Sequence, residues 1–293
     1  MIRYEGTLYR PPSEARSLIL QATIGCSYNE CTFCGMYRDK RFHVRPLAEL
    51  EAEIEWAREQ FGPEVRKVFL ADGDALVAKA SFLAALLGRL RSAFPSLRRV
   101  SCYASPQSLQ VRSVEEMRAL AALGLSLYYL GIESGHDEVL ARLAKGVDAA
   151  EMVRVAGKAH EAGVALSTMI LLGAGGTALS LAHARASASV VNAIQPRFLS
   201  ALIMTPVPDT PLFEEERRGV YERVSDLVAT RELRELVAGL ELTGTIFRSN
   251  HASNALPLEG TLPRDKSRLL ATLDDVLAHG DDAPFAPAWR RGL

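Results

Sequence analysis

The chain has 293 residues, 48% hydrophobic and 24% charged, with a formal net charge of -1 at pH 7. That composition supports a large buried core and excludes a disordered chain. The near-neutral balance gives no electrostatic signal for nucleic acid, no apolar run reaches the ~18 residues of a membrane span, and the first residues lack a secretory h-region. The expected setting is cytoplasmic, where clustered cysteines read as metal ligands or catalytic thiols rather than disulfides.

Short apolar runs alternate with longer segments of helical period. Residues 17–23 (SLILQAT) read as a strand that feeds into a cysteine loop, GCSYNECTFCGMY, at 25–37. A helix is predicted over 47–61, with Pro46 near its start. The strand at 67–71 ends in Asp72-Gly73-Asp74. A helix over 80–94 is stopped by Pro95, RRVSCYA is a strand, and a helix over 114–123 has Ser113 as N-cap and Gly124 as its stop. The strand at 125–132 ends in Glu133-Ser134-Gly135, and a helix over 149–162 closes at Gly163. The strand at 164–172 ends in GAGG, a helix runs over 179–194, and RFLSALIM is the sixth strand, ending in TPVPDTP.

Six strands, each followed by a helical segment, imply βα units and a mainly parallel sheet. The cysteines and the Gly-, acid- and Pro-rich motifs all follow strand C-terminal ends, the rim that carries the active site of an α/β barrel. A flat sheet with strands ~4.8 Å apart would spread them over more than about 20 Å. The expected fold is therefore α/β, a partial (β/α)6 barrel of parallel strands over residues 1–213, with a C-terminal extension over 214–293 packing on it. In that extension a helix is predicted over 225–240, LTGTIFRSN as a strand, HASNALPLEGTLP as a loop, a last helix over 264–279, and an irregular Gly/Pro-rich tail.

Cys26, Cys31 and Cys34 are spaced C-x4-C-x2-C. Three thiols are awkward for disulfides and one short of a closed four-ligand metal site. An iron–sulfur cubane takes one thiolate per iron, so three would leave one iron open and reactive. Zinc, with His43 as fourth ligand, is the competing occupant, at a spacing wide for a compact finger. Cys102 stands apart in an apolar stretch and reads as a buried small side chain.

The loop, its place after the first strand and the later strand-end motifs resemble the radical S-adenosylmethionine (SAM) superfamily over residues 17–213. The usual family loop is C-x3-C-x2-C with an aromatic before the last cysteine. Phe33 holds that position, and one extra residue separates the first two cysteines. The resemblance implies a [4Fe-4S] cluster on Cys26, Cys31 and Cys34. Asp72, Gly73 and Asp74 stand where the family has a Gly-Gly-Glu motif for the amino group of SAM; a glycine and a carboxylate remain. Glu133 or Ser134 would contact polar groups of SAM, Lys145 its carboxylate, and Gly173 lies in the segment where adenine rests. The implied reaction is reductive cleavage of SAM to a 5′-deoxyadenosyl radical that abstracts hydrogen from the substrate. A one-electron donor of the flavodoxin or ferredoxin type and a small-molecule or other substrate are implied with it. No catalytic side chain is singled out. With four cysteines in all, a second cluster is not expected.

Asn250, His251 and Asn254 follow a predicted strand and are candidates for substrate contact; Tyr37, Arg38, Tyr103 and Tyr129 lie near the expected rim. Structural readings stand beside these. Asp72, Asp74 and the asparagines suit turns, Glu133 suits a helix N-terminus, and Lys145 a solvated helix end. Two other functions compete: an iron–sulfur or zinc protein that does not cleave SAM, and transfer of an aminocarboxypropyl group by cleavage of another C–S bond of SAM.

Overall fold

The computed structural model describes residues 1–287, 289 and 291. They form two compact units. One comprises Met1–Asn29, Met36–Leu130 and Val155–Leu166, the other Glu30–Gly35, Gly131–Arg154 and Ser167–Leu293. The division does not coincide with a boundary at 213; it passes through the cysteine loop.

In the first unit, β1 (Leu18–Gln21) is followed by β2 (Thr23–Ile24), which pairs antiparallel with β3 (His43–Val44). The cysteine loop thus leaves and returns through a two-residue ladder. After α1 (Leu47–Phe61) come β4 (Lys67–Ala71), α2 (Ala80–Ala93), β5 (Arg99–Ala104), α3 (Pro106–Val111), α4 (Val114–Ala122) and β6 (Leu125–Glu133). β1, β4, β5 and β6 are parallel neighbours in that order. One row across them is Leu20, Leu70, Cys102 and Tyr128, every member fully buried. Cys102 is therefore a rung of the core, and burial pushes its thiol pKa well up. Ser113 and Glu116 form a capping box at the start of α4, and Gly124 ends it at φ 105°, a conformation open to glycine.

The second unit holds α5 (Asp137–Arg142), β7 (Ala165–Leu172), α7 (Gly176–Ile194), β8 (Phe198–Ile203), α8 (Pro211–Arg217), α9 (Asp226–Gly239), β9 (Thr245–Arg248), β10 (Glu259–Leu262) and α10 (Lys266–Ala278). The chain passes between the units along β6, along α6 (Ala149–Glu161) and at the start of β7. β7, β8 and β9 are parallel, and β10 returns antiparallel along β9. The row Thr168, Leu199 and Phe247 is fully buried, while the next, Met169, Ser200 and Arg248, is partly exposed. That two-residue alternation is how one face of a sheet packs on its helices.

The largely parallel sheet flanked by helices is the α/β architecture expected, and most predicted elements stand within a few residues. Four were missed. β10 lies in the stretch expected to be a loop, because Glu259, Gly260 and Thr261 carry no apolar alternation and pairing with β9 alone makes them a strand. The short helices α3, α5 and α8 span less than two turns, too little for a period to show.

Candidate functional site

In the first unit the strand-end carboxylates hold the cysteine loop. Asp72 is fully buried at φ 64°. Its Oδ2 accepts from the Gly25 backbone N–H at 2.9 Å and the Lys40 ammonium at 2.9 Å, and its Oδ1 from the Gln21 amide at 3.1 Å. One carboxylate therefore ties together the residue before Cys26 and the return of the loop. Lys40 also donates to the Thr7 carbonyl at 2.7 Å, and Gln21 bonds both backbone groups of Glu5, so the N-terminal segment is held at the same point. Asp74, also fully buried, accepts from Ser27 Oγ at 2.6 Å and from the Ser105 hydroxyl at 2.7 Å. Burial raises its pKa, and the hydrogen bonds from Ser27, Ser105 and Ser108 oppose that rise. Both carboxylates are thus engaged by the chain's own donors.

Gly73 is required by proximity. A Cβ there would come within 2.7 Å of the Cys26 Cβ and 2.9 Å of the Tyr37 ring, and its N–H donates to the Gly25 carbonyl at 2.9 Å. The extra residue of the loop is accommodated at Asn29, which is left-handed at φ 50° and donates to the Tyr37 carbonyl at 3.0 Å. Tyr129 donates to the buried carboxylate of Glu14 at 2.6 Å, and Tyr103 packs edge-on against Phe69 and Tyr129. His43 is exposed, with Nδ1 3.1 Å from the Arg41 carbonyl.

In the second unit the later half of the loop is anchored through Thr32 and Phe33. Thr32 N–H donates to the Leu143 carbonyl at 3.0 Å, its hydroxyl to that of Arg142 at 3.1 Å, and its own carbonyl accepts from Leu212 N at 3.0 Å. Phe33 packs on a cluster of Val139, Leu143, Ala174, Met204, Leu212 and Tyr221. Cys31 and Cys34, like Cys26, are half-buried.

Glu133, at φ 65°, folds back over Gly131 and accepts from the Lys145 ammonium at 3.0 Å. Gly131 leaves the room for this pair, since a Cβ there would overlap Glu133 Oε1 at 1.8 Å. Burial works to strip the Lys145 proton, but Glu133, with Cys31 and Cys34 nearby, raises its pKa. Lys145 is therefore a buried charged group, not a solvated helix end.

Ser134 was expected at a cofactor; its hydroxyl lies 2.7 Å from His183 Nδ1 and receives the His136 N–H at 2.9 Å. Gly173 stands at φ 84°, its N–H donating to Glu232 at 2.7 Å and its carbonyl accepting from Tyr221 Oη at 3.2 Å. Burial pushes the Glu232 pKa up to about 7 and the His183 pKa down to about 4. Sequence reasoning missed Lys40, His183, Tyr221 and Glu232; none of them lies in a strand-end motif.

Of the substrate candidates, Asn254 is buried and spends its amide on the fold. It accepts from Ile203 N at 2.8 Å and donates to the carbonyls of Ala201 at 2.7 Å and Ser249 at 2.8 Å. His251 bonds Ser253 at 2.9 Å, burial lowers its pKa, and Asn250 is exposed. Among the described residues, no three His, Cys, Asp or Glu side chains are placed to hold a metal ion, and no helix is long and apolar enough to cross a membrane.

No curated protein sequence matches the chain. Among solved structures it is similar to coproporphyrinogen III oxidase from Escherichia coli, with a TM-score of 0.59 and 19% identity over 76% of this chain and 51% of that one. Methylornithine synthase gives 0.55 and 14% over 88% and 68%, and HydG, a maturase of the [FeFe]-hydrogenase, 0.50 and 18% over 76% and 48%. The chain spans about half the length of the oxidase and the maturase. At such identities the likeness shows the fold alone, and that fold is the partial (β/α) barrel. The Radical SAM superfamily profile matches residues 20–183, more than half of the chain, from β1 through the cysteine loop and into α7. The chain belongs to the radical SAM superfamily.

Proposed function

We propose that the chain is a radical SAM enzyme in which Cys26, Cys31 and Cys34 carry a [4Fe-4S] cluster and SAM binds beside it. The observation that carries this reading is the closed base of the cysteine loop: one buried carboxylate, Asp72, engages both Gly25 and Lys40. A loop of three thiols held in this way suits a cluster with an open iron better than a turn does. The fit rests on donor chemistry, three half-buried thiols within nine residues, rather than on a ready-made ligand triangle. Gly73 keeps a methyl group away from Cys26, and the ammonium of Lys145 offsets the negative charge of Cys31 and Cys34.

When bound, the cluster would supply the electron for reductive cleavage of SAM, from which hydrogen abstraction follows. The chain's own residues bind and orient. Lys145, fixed by Glu133, offers a cation to the SAM carboxylate. Asp72 and Asp74 position the loop and the Gly73 backbone rather than ligate. Phe33 anchors the loop in apolar side chains. Gly173 and Ser134, whose polar groups are engaged by Glu232, Tyr221 and His183, would shape the backbone beside the nucleoside. Among the substrate candidates, His251 and Asn250 retain that role in the proposal, while Asn254 holds the loop that carries them. A small-molecule substrate, a flavodoxin- or ferredoxin-type donor and a cytoplasmic setting complete the reading.

The test is anaerobic: reconstitute with iron and sulfide, add SAM and dithionite, and assay 5′-deoxyadenosine by chromatography. Product that depends on Cys26, Cys31 and Cys34 supports the reading. A cluster-loaded, SAM-bound protein that instead releases an aminocarboxypropyl product, or a protein that takes up neither cluster nor SAM, refutes it.

A further inference from the structure

We propose that Glu232, Tyr221 and His183 are positioning residues for the nucleoside half of SAM, acting by locking the backbone at Gly173 and Ser134. The inference rests on the reading of those strand ends as part of the SAM site. Its evidence is a chain of buried polar contacts within the second unit.

Gly173 is clamped from both sides by the segment after residue 213. Its N–H donates to Glu232 Oε1 at 2.7 Å, its carbonyl accepts from Tyr221 Oη at 3.2 Å, and a Cβ on it would come within 2.8 Å of Val224. The other oxygen of Glu232 accepts from Ser180 Oγ at 2.6 Å. Glu232 and Ser180 are buried, so these bonds are shielded from water. His183, fully buried on α7, links the neighbouring strand end. Its Nε2 is 3.1 Å from the Leu171 carbonyl and 3.4 Å from Glu232 Oε1. A carbonyl can only accept, so Nε2 carries the proton. In the neutral imidazole Nδ1 then accepts, and it takes the hydroxyl proton of Ser134 at 2.7 Å.

Among the described residues this fully buried carboxyl group has no Lys or Arg partner, a poor choice for stability. An apolar side chain would fill the same space without that cost, but it could not receive the Gly173 N–H. Such a group is retained where one backbone geometry must be held, as binding sites require of the residues behind them. The segment after 213 thus completes the strand end that meets the nucleoside rather than merely covering the barrel.

The experiment uses the cluster-reconstituted chain under anaerobic conditions. SAM affinity is measured by equilibrium dialysis, iron content by assay and fold by urea midpoint, for wild type, Glu232→Ala, Glu232→Gln, Tyr221→Phe and Arg234→Ala. Arg234 is a half-exposed control paired with Asp274. Glu232→Ala is expected to weaken SAM binding at least tenfold and Tyr221→Phe about three- to tenfold, with unchanged iron. Glu232→Gln, which keeps an acceptor for Gly173, is expected to restore affinity to within twofold of wild type. Wild-type affinity in Tyr221→Phe and in a folded Glu232→Ala overturns the proposal; if Glu232→Ala does not fold, Tyr221→Phe decides alone. Failure of the wild type itself to bind SAM overturns the functional reading on which the proposal stands, a different result from unchanged variants.

Discussion

Gly135→Ala tests how closely the end of β6 approaches α7. A Cβ at Gly135 would lie 2.2 Å from the Ala186 carbonyl oxygen, 2.4 Å from its carbon and 2.7 Å from the Ser187 Cα. Ordinary contact begins near 3.4 Å, so the backbone of α7 would have to move by about 1 Å. No flexible side chain is available to give way. Overpacking of a filled core costs about 1–3 kcal/mol. The movement also strains the 2.9 Å hydrogen bond from Gly135 N–H to Ser187 Oγ, worth about 1 kcal/mol. Together these predict a loss of roughly 2–4 kcal/mol. Gly157→Ala is the control. Gly157 is exposed within α6 and a Cβ there would meet nothing within 4 Å, so that change should stabilise by about 0.5–1 kcal/mol through helix propensity. Equilibrium urea unfolding of both variants in reducing buffer reads the difference. If Gly135→Ala unfolds within about 0.5 kcal/mol of wild type, the close approach of α7 is wrong.

Lys40→Met should cost about 3–5 kcal/mol, because it leaves the buried Asp72 carboxylate without its cation, whereas Lys40→Met combined with Asp72→Asn should cost less than the sum of the single changes; urea midpoints of the double-mutant cycle check this. Stability against pH carries two opposing slopes. The folded His183 pKa of about 4 lies below the ordinary 6.5, so the unfolded chain binds more protons and stability rises with pH from about 4 to 6.5. The folded Glu232 pKa of about 7 lies above the ordinary 4.5, so the folded chain binds more protons and stability falls with pH from about 4.5 to 7. Each amounts to about 3 kcal/mol, and they largely offset one another between pH 4.5 and 6.5. Glu232→Gln should expose the rising slope alone in thermal melts across that range; a melt profile with the wild-type pH dependence would refute it. Cys31→Ala should abolish a reconstituted [4Fe-4S] absorption spectrum, while Cys102→Ala, altering a core rung, should leave iron content and spectrum intact. Equal loss of iron in both variants would sink the three-thiol assignment.

Much of this protein is written locally. The helix over Leu47–Phe61 follows from its apolar spacing, and α4 from Ser113 and Gly124 at its ends. The alternation of apolar runs and helical segments carries the α/β fold, and the cysteine spacing carries the family, because period and spacing are properties of adjacent residues. What the sequence did not reveal are the partners. Asp72 reads as a strand-end acid, yet its partner Lys40 is 32 residues away; the Ser134–His183 and Gly173–Glu232 contacts span 49 and 59. Asn254 has the appearance of a turn or a ligand, and only its reach to Ala201, 53 residues back, makes it part of the fold. β10 has no pattern of its own and becomes a strand because β9 offers it an edge. A hydrogen bond is decided by where two groups end up in space, and for groups so far apart in the chain only the folding of everything between them determines that.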